Sequence, residues 1–536
     1  MGLGRLCRTS VNSLTTTYAY NGFGYRTDQT QTLSGGPYTT HTDRDPWGRV
    51  TGMTYPGGRT VTTTRDARGR IATVSATVGG VLTPLITGRT YRADDQIASQ
   101  TFGNGLVDSR IYTDAGRLTN QFIGTVDTRV YSYDDNDNLT GKQSLPENAT
   151  YTYNYLDQLT ADNDPTPLTL GYYGNNGNRT SLTGTTTTVL TYLPNSNALA
   201  TVGGQTINLS PNGNIRNDPA RGLQFNYNNA NDLGTVFQNG VFLASYTYDP
   251  QHLRVSKVSP DGMTLYHYDD TGHLLQETDS IGTLIRAYVW ADDLPIAEII
   301  KTATGERLLY LHTDNLNTPR LGTGPAGVVR WRWEGNAFGD DAPNEDPTYT
   351  GVPTTVNLRY AGQYYDKETG LHYNWNRYYD PRLGRYITSD PVGLEGGLNT
   401  YSYVGNNPLY WVDPLGLAVQ ICRRPADIAN GIVDHYWVTT GSQSVGLGGD
   451  PNIRPGDQVE LPIITKTFPI DHSKDTPTSC EVQNNVNESC VNDILSNDLG
   501  KNQGGFGPTS NCKQFAFSVV NRCRTGPQIP PSPPRR

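Results

Sequence analysis

Two short patterns recur through the first 300 residues, and they constrain the fold more than any bulk property. One reads Asp-x-x-Gly-Arg-aliphatic: Asp45-Pro-Trp-Gly-Arg-Val50, then Asp66-Ala-Arg-Gly-Arg-Ile71, with a shortened form at Asp114-Ala-Gly-Arg-Leu118. The other is Tyr-x-Tyr followed by Asp or Asn, at Tyr131-Ser-Tyr-Asp134, Tyr151-Thr-Tyr-Asn154, Tyr246-Thr-Tyr-Asp249 and Tyr266-His-Tyr-Asp269. Tyrosines at alternate positions put both rings on one face of a strand. The Asp or Asn and the following Gly supply a tight turn, and the aliphatic residue opens the returning strand. Each unit is therefore a β-hairpin that cannot bury its own face and must stack on its neighbours. A mainly β array follows.

Composition agrees with that reading. Hydrophobic residues are 35% of the 536, low for a packed globule, but 34 residues are Tyr, which buries a large ring and keeps a hydroxyl for hydrogen bonding. The 58 glycines and 17% charged residues favour strands and turns over helices. A net charge of −9 argues against a general nucleic-acid surface. No run of about 18 apolar residues exists, so no membrane span is expected. The first residues lack the apolar stretch of a secretory signal, and the abrupt start within repeat-like sequence predicts the C-terminal part of a longer protein.

The repeat units resemble the YD repeats of the Rhs family over most of residues 15–310, and the resemblance implies a long β-sheet strip spiralling into a hollow shell. A plain β-solenoid or propeller without cargo is the competing architecture. His41, His252, His267 and His273 are scattered through the array and read as packing or surface residues. From about Tyr310 the repeat becomes irregular. The blocks RYYDPRLGRYI, SDPVGLEGG, YSYVGNNPL and DPLGL then follow in the order of the Rhs-associated core. That resemblance implies three parts: a shell over residues 1–310, a core over 311–417, and a variable C-terminal toxin domain over 418–536. It also implies that the core cuts itself between Leu417 and Ala418, using Asp390 and Asp413 of the two Asp-Pro-x-Gly-Leu phrases.

Residue chemistry is consistent with that role. An aspartyl protease needs two carboxylates close enough to share a proton, one activating water while the other protonates or polarises the scissile carbonyl. Arg385, shortly before Asp390, is the candidate for orienting or charge-balancing the pair. Asp-Pro-x-Gly is also an ordinary turn sequence, with Asp bonding its own backbone.

After Leu417 the composition changes: the first 417 residues hold one cysteine, Cys7, and the last 119 hold five. A strand is predicted over Val433–Thr439, and a helix capped by Ser510 or Asn511, giving a small α+β domain. Cys512 then lies in the first helical turn, where the dipole favours thiolate. A strand histidine, His435, with an Asn-Cys-x-x-Phe helix resembles the circularly permuted papain-like hydrolases. By that resemblance Cys512 is the nucleophile, His435 the base and His472 the candidate orienting residue. Alternatively, Cys480, Cys490, Cys512 and Cys523 form two disulfides in a secreted domain, with three possible pairings. No CxxC or HxxxE spacing points to zinc, and neither a metal nor a cofactor is expected. A nuclease tip is a further alternative, although eleven basic residues balance eleven acidic ones here.

The combined expectation is an antibacterial Rhs-type toxin fragment, made in the bacterial cytoplasm and delivered into a target cell. Its implied partners are a cognate immunity protein and a secretion apparatus or N-terminal delivery module; nucleic acid is not among them. A carbohydrate-binding surface adhesin with a disulfide-stabilised tip is the rival from another class.

Overall fold

The computed structural model describes residues 5–417, apart from residues 12, 145–146, 165–166 and 174–175, together with five strands beyond residue 418. Almost all of it is antiparallel sheet. Twenty strands from Arg8–Val11 to Gln205–Thr206 form one meander, each paired with its sequence neighbours. Twelve more, from Asn217–Asp218 to Val329–Arg332, form a second meander, which continues past the point near residue 310 where the repeat becomes irregular. Two 3₁₀ turns, Gly393–Gly396 and Val404–Asn406, are the helical segments among the described residues. None is long and apolar enough to cross a membrane.

The repeat residues explain why hairpins stack. In the units anchored by Asp45, Asp66, Asp134, Asn154, Asp249 and Asp269, one carboxylate or amide oxygen closes the turn by accepting two backbone N–H groups, at i+2 and i+4. Asp66 Oδ1 takes Arg68 N and Arg70 N at 2.9 and 3.0 Å, and Asp134 Oδ1 takes Asn136 N and Asn138 N, both at 2.9 Å. Where a tyrosine precedes the turn, its hydroxyl then staples the unit to the preceding one, while Arg44 and Arg65 reach Arg26 O and Val50 O in the Asp45 and Asp66 units. Tyr112 Oη donates to Ile97 O at 2.9 Å, Tyr133 Oη to Leu118 O at 2.8 Å, and Tyr153 Oη to Leu139 O at 2.8 Å. The same staple recurs in the second sheet, from Tyr248 to Leu233 O at 2.8 Å and from Tyr268 to Arg254 O at 2.9 Å. Each acceptor is the carbonyl of a residue at the start of a returning strand. The tyrosine ring thus buries apolar area while its hydroxyl satisfies a backbone group, which is how few aliphatic residues suffice.

The two meanders close on one another. Tyr55 Oη donates to Tyr288 O at 2.9 Å, Asn104 Nδ2 to Thr323 Oγ1 at 3.0 Å, and Gln121 Nε2 to Thr313 O at 2.9 Å. An apolar cluster containing Tyr55, Val74, Ile86 and Phe102 packs on Ala287, Val289, Ile296 and Tyr310. The result is a β-shell, as the repeats imply.

A third sheet of four short strands, Tyr364–Asp366, Leu371–Asn374, Arg377–Asp380 and Arg385–Tyr386, plugs this shell. Arg254 pins it: its guanidinium lies 4.4–5.9 Å from the ring centres of Tyr246, Tyr266, Tyr364, Tyr373 and Tyr378 and pairs with Asp366. A cavity of about 450 Å³ lies between shell and plug.

Beyond residue 418, strands Val419–Pro425, Asp434–Thr439, Ser444–Gly448, Phe468–Asp471 and Ser479–Gln483 form one sheet. Asp434–Thr439 occupies the place predicted for the histidine-bearing strand, with His435 in register with Arg424. Backbone register also sets Cys422 opposite Cys480, a juxtaposition that the four-cysteine scheme leaves out. The predicted helix with Cys512, together with His472, Cys490, Cys523 and Ala418, lies outside the described residues.

Candidate functional site

The pleat of the plug sheet decides which side chains meet. Tyr379 pairs with Tyr386 and Asp380 with Arg385 across the last hairpin. Side chains alternate between faces, so Arg377 shares a face with Tyr379 and Tyr386, while Arg385 falls on the opposite face with Asp380. Arg377 and Tyr386 are therefore presented together to the strandless segment that carries Asp413.

Both predicted aspartates converge there, on one guanidinium. Arg377 Nη1 contacts Asp390 Oδ2 at 2.9 Å and Nη2 contacts Asp413 Oδ2 at 2.8 Å. Tyr386 Oη donates to the same Asp413 Oδ2 at 2.7 Å, and the Arg377 guanidinium carbon sits 3.6 Å from the Tyr386 ring centre. The four side chains are buried. Burial pushes the Asp390 carboxyl up to about 6, against the pull of Arg377 and with a further push from Asp413. Burial, then the Asp413 carboxylate, holds the Tyr386 hydroxyl far above its usual range, so it remains a donor.

One sequence expectation is corrected here. The charge-balancing arginine is Arg377, which opens the RYYDPRLGRYI block, and not Arg385. Arg385 donates from Nη2 to Asn197 O at 2.7 Å and lies over the rings of Tyr192 and Tyr401, on the far side of the pleat. The two carboxylates meet on the one cation of Arg377.

The turn reading of Asp-Pro-x-Gly and the site reading hold together. Asp413 Oδ1 accepts the Leu417 N–H at 2.9 Å, the same i+4 bond that closes the repeat turns. Asp390 Oδ1 accepts Val392 N at 3.1 Å, the i+2 bond of that turn. In each aspartate one oxygen builds the turn and the other faces Arg377. Division of labour between the two oxygens leaves one oxygen of each aspartate outside the turn.

The segment after Asp413 is held along its backbone. Asn374 Nδ2 donates to Asp413 O at 2.8 Å and to Tyr386 Oη at 2.7 Å, and Asn376 Nδ2 donates to Leu415 O at 3.0 Å. Gly362, at φ +80°, lies so close that a Cβ there would strike the Pro414 carbonyl. Pro414 and Leu415 border the 450 Å³ cavity, and Leu417 is half-buried. Asn374 and Asn376 have no sequence pattern of their own; Arg377 and Tyr386 lie in the RYYDPRLGRYI block, where strand parity across the last hairpin is the signal that selects Arg377 over Arg385.

The profile of the teneurin YD-shell family matches residues 141–409, and that of the RHS repeat matches residues 44–81. The chain is 34% identical over 236 residues to double-stranded DNA deaminase toxin A of Burkholderia cenocepacia, covering 38% of this chain and 16% of that protein. It is 28% identical over 409 residues to a probable deoxyribonuclease RhsA of Dickeya dadantii, covering 68% and 26%. It is 38% identical over 132 residues to toxin protein Tse5 of Pseudomonas aeruginosa, covering 24% and 10%. The chain thus spans about a quarter or less of these three relatives. Among solved structures, TcdB2–TccC3 without its hypervariable C-terminal region superposes with a TM-score of 0.66 at 20% identity, covering 77% of this chain and 24% of that one. This last likeness shows a shared fold.

Proposed function

The chain belongs to the Rhs/YD-repeat family of polymorphic toxins, and from that premise we propose that its plug sheet is an autoprotease releasing a toxic C-terminal domain. The observation that carries this reading is one contact: the carboxylate of Asp413, held by Arg377 and Tyr386, also binds the N–H of Leu417. That bond fixes the residue whose carbonyl is the scissile group of a Leu417–Ala418 cleavage. Asp390, pushed to about 6, changes protonation within the physiological range.

In the proposed reaction one carboxylate takes a proton from water as the water oxygen bonds to the Leu417 carbonyl carbon. The C–N bond then breaks and the Ala418 nitrogen receives a proton. Arg377 keeps two acidic groups together without mutual expulsion, since a buried carboxylate pair lacking a cation cannot both ionise. Neither aspartate is assigned a fixed acid or base role. Purified protein should run as two fragments, and Asp413→Asn as a single band; two bands in that variant would overturn the assignment.

For the released domain, the reading from the residues is a cysteine hydrolase or acyltransferase in which Cys512 attacks an acyl carbonyl, His435 serves as base and His472 orients it. A second reading, a nucleic-acid-modifying tip, is favoured by the deaminase and deoxyribonuclease names of the relatives. Expression of residues 418–536 in bacteria separates them. Growth arrest that Cys512→Ala abolishes supports the hydrolase; arrest that survives it, with fragmented or mutated DNA or RNA, supports the nuclease or deaminase. Harmlessness of both would favour the adhesin. An immunity protein that blocks the tip and a delivery module or secretion apparatus that carries the shell into a target cell complete the proposal.

A further inference from the structure

On the face of the plug opposite the aspartates, two buried arginines lack the counter-charge that Arg377 has. Arg179 and Arg385 are each 4% exposed. Arg179 donates from Nη2 to Gly384 O and lies over the Phe338 ring, 4.4 Å from its centre; its Nη1 has no partner. Arg385 uses Nη2 on Asn197 O at 2.7 Å and sits between the rings of Tyr192 and Tyr401, while its Nε has no partner. No carboxylate pairs with either among the described residues.

Both arginines line one small cavity of about 10 Å³, together with Asn399, Ser402 and Asn406. That is room for about one water-sized particle. A guanidinium cannot shed its proton, and two of them facing one buried space repel each other. A water molecule would satisfy the free N–H groups and leave both charges unbalanced. An anion would do both, and the charge-assisted bonds it would accept are the stronger kind.

We propose that this cavity is a binding site for a small inorganic anion, with chloride the best match in size and charge. Its ligands are the Arg179 Nη1 and Arg385 Nε hydrogens, with the Asn399 and Asn406 amides, which also donate to Asn178 Oδ1 and Gly177 O, beside it; the Ser402 hydroxyl is turned to Asn399 O. The space is too small for sulfate, for phosphate or for a carboxylate side chain. The site ties strand Asn178–Thr183 of the first sheet to strand Arg385–Tyr386 of the plug. It therefore helps fasten the plug to the shell from the side away from the aspartates.

The test uses the full chain. Thermal unfolding is followed while chloride replaces gluconate at constant ionic strength and pH. The expected result is a saturable rise in melting temperature with chloride and bromide, absent with sulfate, and lost in Arg179→Met. Crystals of the wild-type chain grown in bromide provide a second readout that needs no variant to fold: an anomalous peak is expected between the two guanidinium groups. Melting temperatures that are equal in all anions, or density there for water or for a side chain of residues 418–536, would overturn the proposal.

Discussion

Replacing Asp390 by Asn should make the protein more stable at neutral pH while abolishing its cleavage. The side chain is 3% exposed, and its carboxyl is raised from 3.8 to about 6 despite the contact with Arg377. At about 1.36 kcal/mol per pH unit, keeping that carboxylate ionised in the fold costs about 3 kcal/mol at pH 7. A carboxyl whose folded value lies above its unfolded one takes up a proton on folding. The penalty is therefore nearly absent at about pH 4 and below, grows as pH rises from about 4 to 6, and is full above about pH 6. The amide resembles the protonated acid and has no such penalty at any pH. Chemical unfolding of wild type and Asp390→Asn, followed by Tyr and Trp fluorescence from pH 4 to 7.5, measures the difference. Covalent continuity of the uncleaved variant adds an offset that does not depend on pH. The advantage of Asn should therefore grow by about 2–3 kcal/mol between pH 4 and pH 7. A difference that stays flat over this range would refute the burial argument for Asp390.

Removing the shared cation should act in the opposite direction. Arg377→Met leaves two buried carboxylates unpaired, so it should lose cleavage and about 3–5 kcal/mol of stability at pH 7, read by band pattern and denaturant midpoint. Tyr386→Phe removes one hydrogen bond to Asp413 and one acceptor for Asn374; cleavage should slow and stability fall by about 1 kcal/mol, measured on freshly refolded chain. Gly362→Ala drives a methyl group against the Pro414 carbonyl and strains a φ of +80°, so the chain should accumulate uncleaved although the repeats remain folded, as far-ultraviolet circular dichroism would show.

The repeats were legible because each element of the pattern has a local cause. Alternate tyrosines, an Asp or Asn turn anchor and an aliphatic opener predict hairpins, and hairpins of this kind must stack. The staple from each second tyrosine to an earlier carbonyl was not legible, since it joins residues of separate units, such as Tyr133 and Leu118. At the site, the sequence marked Asp390 and Asp413 through their repeated phrase. It misplaced the arginine because nearness in sequence favoured Arg385, whereas the face of a strand is set by parity within the sheet. Arg377 is 13 residues from Asp390 and 36 from Asp413, and only the folded hairpin brings it to both. The double use of each aspartate, one oxygen for the turn and one for Arg377, likewise emerges from three-dimensional contacts that no short pattern encodes.

Intact mass spectrometry of the purified full chain, wild type beside Asp413→Asn, bears most directly on whether the Asp390–Arg377–Asp413 cluster severs its own chain. Two masses are predicted for the wild type, matching residues 1–417 and 418–536, and one mass for the variant. A single full-length mass in the wild type, a break at another bond, or an unchanged pair of fragments in Asp413→Asn would contradict it.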